Sequence, residues 1–263
     1  MDTHPHPTLF ISHGSPMLAI VDSPARRFLS ELGGSMPRPS AILVASAHWE
    51  SAGATAASTA RQPETIHDFG GFAPALYEIR YPAPGAPDVA RRAAGLLREA
   101  GEPASLDPTR GLDHGAWVPL SLMYPQADIP VAQVSVRRDA TPAGHERLGR
   151  ALSALRREGV LVIGSGSLTH NLGEFRGQGL AAPVPGWVSA FGDWMEQALA
   201  GQRREALLDY RRAAPHAARN HPTEEHLSPL FVAMGAAGDG ARARRLHSSY
   251  EYGVLSMDVY AFD

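Results

Sequence analysis

The 263-residue sequence has no cysteine, and its 24 basic residues are all arginine. The absence of cysteine excludes thiolate nucleophiles, iron–sulfur clusters, cysteine zinc ligands and disulfides. The absence of lysine excludes Schiff-base and pyridoxal chemistry and the phosphate-binding P-loop, because each needs an ammonium group. Any metal must therefore be bound by His, Asp or Glu, and acid–base catalysis must come from His, Tyr or a carboxylate.

The sequence also lacks a large net charge and any long apolar run. A formal charge of −3 gives no electrostatic reason to expect nucleic acid or an anionic membrane as a partner. No run approaches the roughly 18 apolar residues of a membrane span, and residues 1–7 have neither the basic nor the apolar region of a signal peptide. We therefore expect a cytoplasmic protein with no nucleic-acid or membrane partner, as a monomer or a homodimer.

Apolar runs of strand length alternate with segments of helical period. Strands are predicted at residues 8–12, 41–47, 75–81, 129–136, 160–165 and 254–261. Helices are predicted at 24–32, 88–100 and 142–158, with two more over 186–214, while the Pro- and Gly-rich segments 63–87 and 101–119 are expected to be long ordered loops. This alternation predicts one α/β domain over residues 1–263, with a central mixed, largely parallel sheet flanked by helices on both faces.

Three histidines follow or end apolar runs of strand type. His13 follows Ser12, His48 follows Ala47, and His170 follows the run that begins at residue 160. Ligands of open α/β sheets bind beyond the carboxyl ends of the strands, so these imidazoles should converge on one edge of the sheet. Neutral imidazole is the commonest metal ligand, and the arrangement therefore predicts a metal site.

Two further histidines have candidate positions. His114 lies in a glycine-punctuated loop, where either a binding residue or a turn residue is expected. His226 lies near a helix start, because a helix begins either near Asn220, bending at Pro229, or at Ser228–Pro229. The remaining histidines are assigned to surface or structural roles: His4, His6, His67, His145, His216 and His247.

Two other segments carry weaker signals. The aromatic and glycine-rich residues 66–74 are expected to form a wall of an aromatic pocket. Residues 164–167 (GSGS) do not match the nucleophile elbow G-x-S-x-G, and they lack the third glycine of a dinucleotide fingerprint. Their small residues predict close backbone packing at the edge of the sheet.

Seven motifs together resemble the LigB-type (class III) extradiol ring-cleaving dioxygenases, in particular the 4,5-DOPA dioxygenase branch. They occur in the family's order at residues 11–16 (ISHGSP), 45–49 (ASAHW), 67–72 (HDFGGF), 81–85 (YPAPG), 112–117 (LDHGAW), 164–171 (GSGSLTHN) and 221–226 (HPTEEH). The resemblance implies an enzyme that cleaves a catechol of DOPA type with O₂. It also implies one divalent ion per chain, Fe(II) for this activity.

The same resemblance implies roles for the five histidines. His13, His48 and His226 would bind the metal, His170 would be the catalytic acid–base or a further ligand, and His114 would line the substrate site. The broader class uses two histidines and a glutamate, whereas this sequence has His226 at the third position; we choose His226 because it lies beside the apolar helix face at the spacing of Leu230.

Three alternatives follow from this departure. An all-histidine site also suits zinc, so a zinc-dependent hydrolase on the same scaffold is the leading alternative. A non-enzymatic metal-binding protein resembling the Memo proteins is another, although the acid–base pair His170 and His114 argues against it. The third alternative is that Glu225, and not His226, is the third metal ligand. The two residues are adjacent, and on a helix only one of two neighbouring side chains can face the ion.

Overall fold

A mixed eight-stranded sheet lies at the centre of the computed structural model, which describes residues 5–263 and so leaves His4 outside the described residues. Two further strands form a separate hairpin outside this sheet. The strand bounds are β1 Thr8–Ser12, β2 Ala41–Ser51, β3 Thr55–Ser58, β4 Ala104–Asp107, β5 Val131–Arg137, β6 Val160–Gly166, β7 Ala243–His247, β8 Tyr250–Glu251, β9 Leu255–Ser256 and β10 Val259–Phe262.

The strand order is β4-β3-β5-β2-β6-β1-β10-β7. The four central strands β5, β2, β6 and β1 are all parallel, whereas β3 is antiparallel to β5 and β10 is antiparallel to both β1 and β7. The carboxyl ends of the four central strands therefore meet at one edge of the sheet, which is where ligands of open α/β sheets bind.

Helices cover both faces of this sheet. Alternate residues of a strand point to opposite faces, so Ile42 and Val44 pack against helices on one face of the sheet, while Leu43 and Ala45 pack against helices on the other. The helices are α1 Pro24–Leu32, α2 Pro74–Glu78, α3 Pro87–Glu99, α4 His114–Met123, α5 Pro142–Leu152, α6 Gly186–Ala200, α7 Arg204–Leu208, α8 Tyr210–Ala213, α9 Ala217–Asn220 and α10 Ser228–Ala237. The predicted fold class is confirmed.

Several predicted boundaries were wrong. Residues 75–81 form no strand, because Pro74 starts the short helix α2 there. The predicted strand 254–261 is split between the hairpin strand β9 and the sheet strand β10. The segment 101–119 is not simply a loop, since it contains β4 and the start of α4.

The strands that were not predicted lack a clear apolar pattern in their sequences. β3 (TAAS) consists of small residues with little β preference, and the edge strand β7 (ARRLH) carries two arginines. Charged side chains are a common protection of sheet edges, so a hydrophobic pattern is a poor guide to such strands. Between residues 5 and 263, no helix has the length and apolar character needed to cross a membrane.

Candidate metal centre

Five histidines from five chain segments meet at the carboxyl edge of the sheet. His13 follows β1, His48 lies in β2, His114 is the first residue of α4, His170 follows β6, and His226 precedes α10. The ring of His48 lies 4.9 Å from that of His13, 3.9 Å from that of His114 and 4.9 Å from that of His226, between centroids. The predicted convergence is therefore present, and it includes His114 and His226.

Local backbone features bring two of these segments to the edge. The pairing of β2 with β5 shifts register between Ser46 and Glu50, so residues 47–49 bulge out of the ladder. Such bulges re-aim side chains beside functional sites, and this one contains His48. The backbone N–H of His13 donates to the carbonyl of Gly166 at 2.9 Å, which fixes the chain just beyond β1.

Glycine is required where β6 meets the turn before α10. A Cβ added to Gly166 would lie 2.1 Å from the carbonyl oxygen of His226, and one added to Gly164 would lie 2.1 Å from that of Pro229. Only a residue without a side chain allows this approach. The expectation that the small residues at 164–167 serve close backbone packing is confirmed.

Hydrogen bonds at Nδ1 fix the tautomers of His13 and His226. The Ser165 hydroxyl donates to the carbonyl of Gly115, so its oxygen accepts from Nδ1–H of His13 at 3.0 Å. Oε1 of Glu225 accepts from Nδ1–H of His226 at 2.8 Å. In both rings Nε2 is consequently the unprotonated nitrogen.

Asp68 orients the imidazoles of His114 and His48. Its Oδ1 accepts from both the backbone N–H and Nδ1–H of His114, at 3.0 and 2.9 Å. Its Oδ2 lies 3.4 Å from Nδ1 of His48. Burial alone would raise the pKa of Asp68, but the hydrogen bonds from His114 hold that pKa well below its ordinary value, so the carboxylate stays charged.

Three Nε2 atoms face one another at the centre of the cluster. Nε2 of His48 lies 2.9 Å from Nε2 of His13 and 3.3 Å from Nε2 of His226. With their protons at Nδ1, His13 and His226 direct the lone pairs of their Nε2 atoms into this centre, where a cation can accept them. Two imidazoles that bind one ion at about 2.1 Å have nitrogens about 3.0 to 3.4 Å apart, so the residues fit a metal ion.

Burial keeps these imidazoles neutral, as metal ligation requires. It holds the pKa of His13 well below its ordinary value, with further lowering by the neighbouring imidazoles. It lowers the pKa of His48 to about 4. Burial also holds the pKa of His226 well below its ordinary value, although the hydrogen bond to Glu225 opposes the shift.

His170 lies on the outer side of His226. Their rings are stacked, with centroids 3.5 Å apart and an angle of 8° between planes. Among residues 5–263, two groups of possible ligand atoms are present, His13–His48–His114 and His170–Glu225–His226, each with its atoms within 4.8 Å of one another. The 3.3 Å contact between His48 and His226 joins the two groups into one centre.

A buried polar network holds α4 in place beneath the centre. Asp113, wholly buried, caps the helix by accepting from the N–H of Ala116, and it also accepts from Ser46 Oγ at 2.7 Å. Its second oxygen accepts from Arg110 at 2.7 Å and from Gln133 at 2.8 Å. His114 is therefore the first residue of a capped helix, and the expectation of a loop position was wrong.

An aromatic wall adjoins His114, as the sequence of residues 66–74 predicted. The ring of Phe69 meets that of His114 edge-on with centroids 5.6 Å apart, and it packs against Phe72 and Tyr77 at 5.4 and 5.2 Å. Aromatic rings with a few polar groups are typical linings of small-molecule sites.

Sequence reasoning missed three orienting residues, and of its two alternative helix starts the one at Ser228–Pro229 is confirmed. Asp68, Ser165 and Asp113 were included in motifs but received no role, because only the folded chain shows that Asp68 and Ser165 contact imidazoles and that Asp113 caps α4. The helix begins at Ser228, so Glu225 and His226 lie in a turn before it. The argument from diverging helical side chains was therefore wrong, since Glu225 contacts the Nδ1 side of His226 and leaves Nε2 facing the cluster.

The fold and site define an α/β protein with a histidine-lined centre at the carboxyl edge of its sheet, and known proteins are similar to it in sequence. The family of the catalytic LigB subunit of aromatic ring-opening dioxygenase matches residues 7–262. A 4,5-DOPA dioxygenase extradiol from Beta vulgaris is 45% identical over 260 residues, covering 97% of this chain and 96% of that protein. A 4,5-DOPA dioxygenase extradiol from Escherichia coli K12 is 42% identical over 256 residues, covering 95% and 92%.

A solved structure is similar to this chain in fold. The crystal structure of an uncharacterized protein from Escherichia coli K12 matches with a TM-score of 0.82 at 34% identity, covering 98% of this chain and 100% of that one. The chain belongs to the LigB family of aromatic ring-opening dioxygenases. It is accordingly an oxidoreductase of the extradiol ring-cleaving class, and the resemblance of its motifs is confirmed.

Proposed function

We propose that this chain cleaves the ring of a DOPA-like catechol with O₂ at one divalent ion held by His13, His48 and His226. The observation that carries the proposal is the meeting of three Nε2 atoms, with that of His48 at 2.9 and 3.3 Å from the other two. The names of the Beta vulgaris and Escherichia coli relatives support a catechol of DOPA type.

The proposed ion is Fe(II). Zinc fits three histidines equally well but has no redox chemistry, whereas the reaction of a ring with O₂ is an oxidation. When bound by three protein ligands, Fe(II) offers open positions for both catechol oxygens and for O₂. Zinc is the competing occupant, and its presence would leave the chain without this activity.

His170 and His114 act on protons and on substrate position. Burial lowers the pKa of His170 to about 4, so at neutral pH its imidazole is neutral and can accept a phenolic proton. The imidazole of His170 can later return that proton to the product. Asp68 holds Nδ1–H of His114, which leaves Nε2 of His114 as a hydrogen-bond acceptor for a substrate hydroxyl.

The overall reaction balances without an external reductant. One ring carbon–carbon bond beside the diol breaks, and both atoms of O₂ enter the product. One new end becomes a carboxylate beside the remaining enol and the other becomes an aldehyde, which gives the yellow muconic semialdehyde type of product.

The proposal extends to the whole chain. Residues 1–263 act as one catalytic domain in the cytoplasm, as a monomer or homodimer, with a small-molecule catechol and O₂ as partners. The formal charge of −3 supports the absence of nucleic-acid or anionic-membrane binding. Size-exclusion chromatography with light scattering and cell fractionation test the oligomeric state and the location.

The direct experiment loads the metal-free protein with Fe(II) under anaerobic conditions and then adds O₂ and a panel of catechols. Uptake of O₂ and absorbance are followed together. We expect equimolar consumption of O₂ and catechol with a yellow product, and neither signal from the zinc-loaded protein or from His48→Ala. Formation of an ortho-quinone instead, or no O₂ uptake with any catechol, would overturn the proposal.

A further inference from the structure

A continuous groove leads away from the metal centre. The cavity beside His48 and His226 has a volume of about 560 Å³ and is also lined by Glu50, Thr223 and Glu225. The last three residues also line a second cavity of about 350 Å³, which extends to Arg138. Both volumes lie within the range of small-molecule sites, roughly 300–1,000 Å³.

This groove presents two opposite charges that do not pair, one near the histidines and one at its far end. Throughout residues 5–263, the Glu50 carboxylate and the Arg138 guanidinium have no ion partner within 4.0 Å. The other arginines of the groove are engaged, because Arg137 pairs with Glu102 at 3.2 Å and Arg211 lies 4.0 Å from Glu224. Arg138 is thus the guanidinium of the groove that is available to a ligand.

We propose that this groove binds the α-amino acid group of the catechol, with Glu50 accepting from its ammonium and Arg138 donating to its carboxylate. This inference rests on the proposed function, because the diol end of the same molecule would lie at the histidines. It assigns to Glu50 and Arg138 a role in substrate specificity.

The chemistry of the groove matches a zwitterion better than a single charge. Glu50 follows His48 by two residues on β2, so it lies next to the proposed diol site, whereas Arg138 follows the end of β5. A planar guanidinium fits a carboxylate through two parallel hydrogen bonds.

The test measures kcat/KM for four catechols with Fe(II)-loaded protein. DOPA carries both charges, dopamine lacks the carboxylate, dihydrocaffeate lacks the ammonium, and methylcatechol lacks both. We expect Arg138→Gln to lower kcat/KM roughly 10- to 100-fold for DOPA and dihydrocaffeate, mainly through KM, and to leave dopamine and methylcatechol unchanged. Glu50→Gln should lower the values for DOPA and dopamine alone.

Arg91→Gln is a matched control, because Arg91 is a surface residue of α3 that pairs with Asp88 outside the groove. It should change none of the four values. If wild type turns over all four catechols but neither groove variant discriminates among them, the subsite is refuted and the proposed function stands. A uniform loss on all four substrates would also refute it. If wild type cleaves no catechol, the proposed function fails and this subsite fails with it.

Discussion

Replacing Asp68 with Asn should weaken the metal centre without removing any proposed ligand. Asp68 Oδ1 accepts two hydrogen bonds from His114, and Oδ2 lies 3.4 Å from Nδ1 of His48. An asparagine that keeps its oxygen toward His114 turns its amide donor toward Nδ1–H of His48. Two donors then face each other, and His48 must rotate or move its proton to Nε2, the nitrogen proposed to bind the ion.

The size of the effect follows from these contacts. A hydrogen bond to a charged group contributes about 1.5–3 kcal/mol, which corresponds to roughly 10- to 150-fold in an equilibrium constant. Groups that orient metal-bound histidines typically alter affinity by roughly 10- to 100-fold when they are replaced. We therefore expect the Kd for the divalent ion to rise by roughly 10- to 100-fold in Asp68→Asn.

The assay is a competition titration of the metal-free protein with a chromophoric chelator, under anaerobic conditions for Fe(II). Asp88→Asn is the matched control, because the side chain of Asp88 is 97% exposed and pairs with Arg91 on the surface. It should bind the ion like wild type. A Kd for Asp68→Asn within experimental error of the wild-type value would refute the view that Asp68 holds the His48 tautomer.

Three further predictions concern catalysis, packing and pH. His170→Ala should retain one ion per chain and bind catechol but lose roughly 10²-fold or more in kcat, since general acid–base catalysis is of that size; loss of the ion on elemental analysis would make His170 a ligand instead. Gly166→Ala should destabilise the fold by about 1–3 kcal/mol in urea unfolding and weaken metal binding, because the added Cβ would lie 2.1 Å from the His226 carbonyl oxygen. Gly179 has open space around it, so Gly179→Ala should change neither stability nor metal binding. Equal stability of the two variants would contradict this prediction. Burial lowers the pKa of His145 to about 4, and Nε2 of this ring accepts a hydrogen bond from the N–H of Arg137 at 3.1 Å. The folded state therefore favours the neutral imidazole. Up to about 3 kcal/mol of the unfolding free energy present above pH 6.5 is lost as the pH falls from about 6.5 towards 4. His145→Gln should show a smaller loss of unfolding free energy over that interval, and an unchanged pH dependence would show that His145 does not contribute.

The fold was predictable where hydrophobic patterning decides the structure. The four central strands are buried on both faces, so their sequences are continuous apolar runs, as in Ala41–Ser51 and Val160–Gly166. The edge strands were not predictable, because β4 and β7 are partly exposed and their sequences need no apolar pattern. The helix at Pro74 was missed because its five residues are too few for a periodic signal.

The site was predictable in its residue types but not in its contacts. Strand-end positions indicated that His13, His48 and His170 share one edge, since parallel strands bring their carboxyl ends together. The bonds that set each tautomer depend on side chains distant in sequence, such as Ser165, which is 152 residues from His13. No periodicity or spacing encodes such a pair, so the orienting residues emerge only from the folded chain.

The central claim is that His13, His48 and His226 hold one ion, with Glu225 outside the set of ligands. The most direct measurement is the metal content per chain, after anaerobic loading and desalting, of wild type, the three His→Ala variants and Glu225→Gln. Circular dichroism checks that each variant is folded. We predict one equivalent in wild type and in Glu225→Gln, and nearly none in His13→Ala, His48→Ala or His226→Ala. Loss of the ion from Glu225→Gln together with full occupancy in His226→Ala would contradict the assignment.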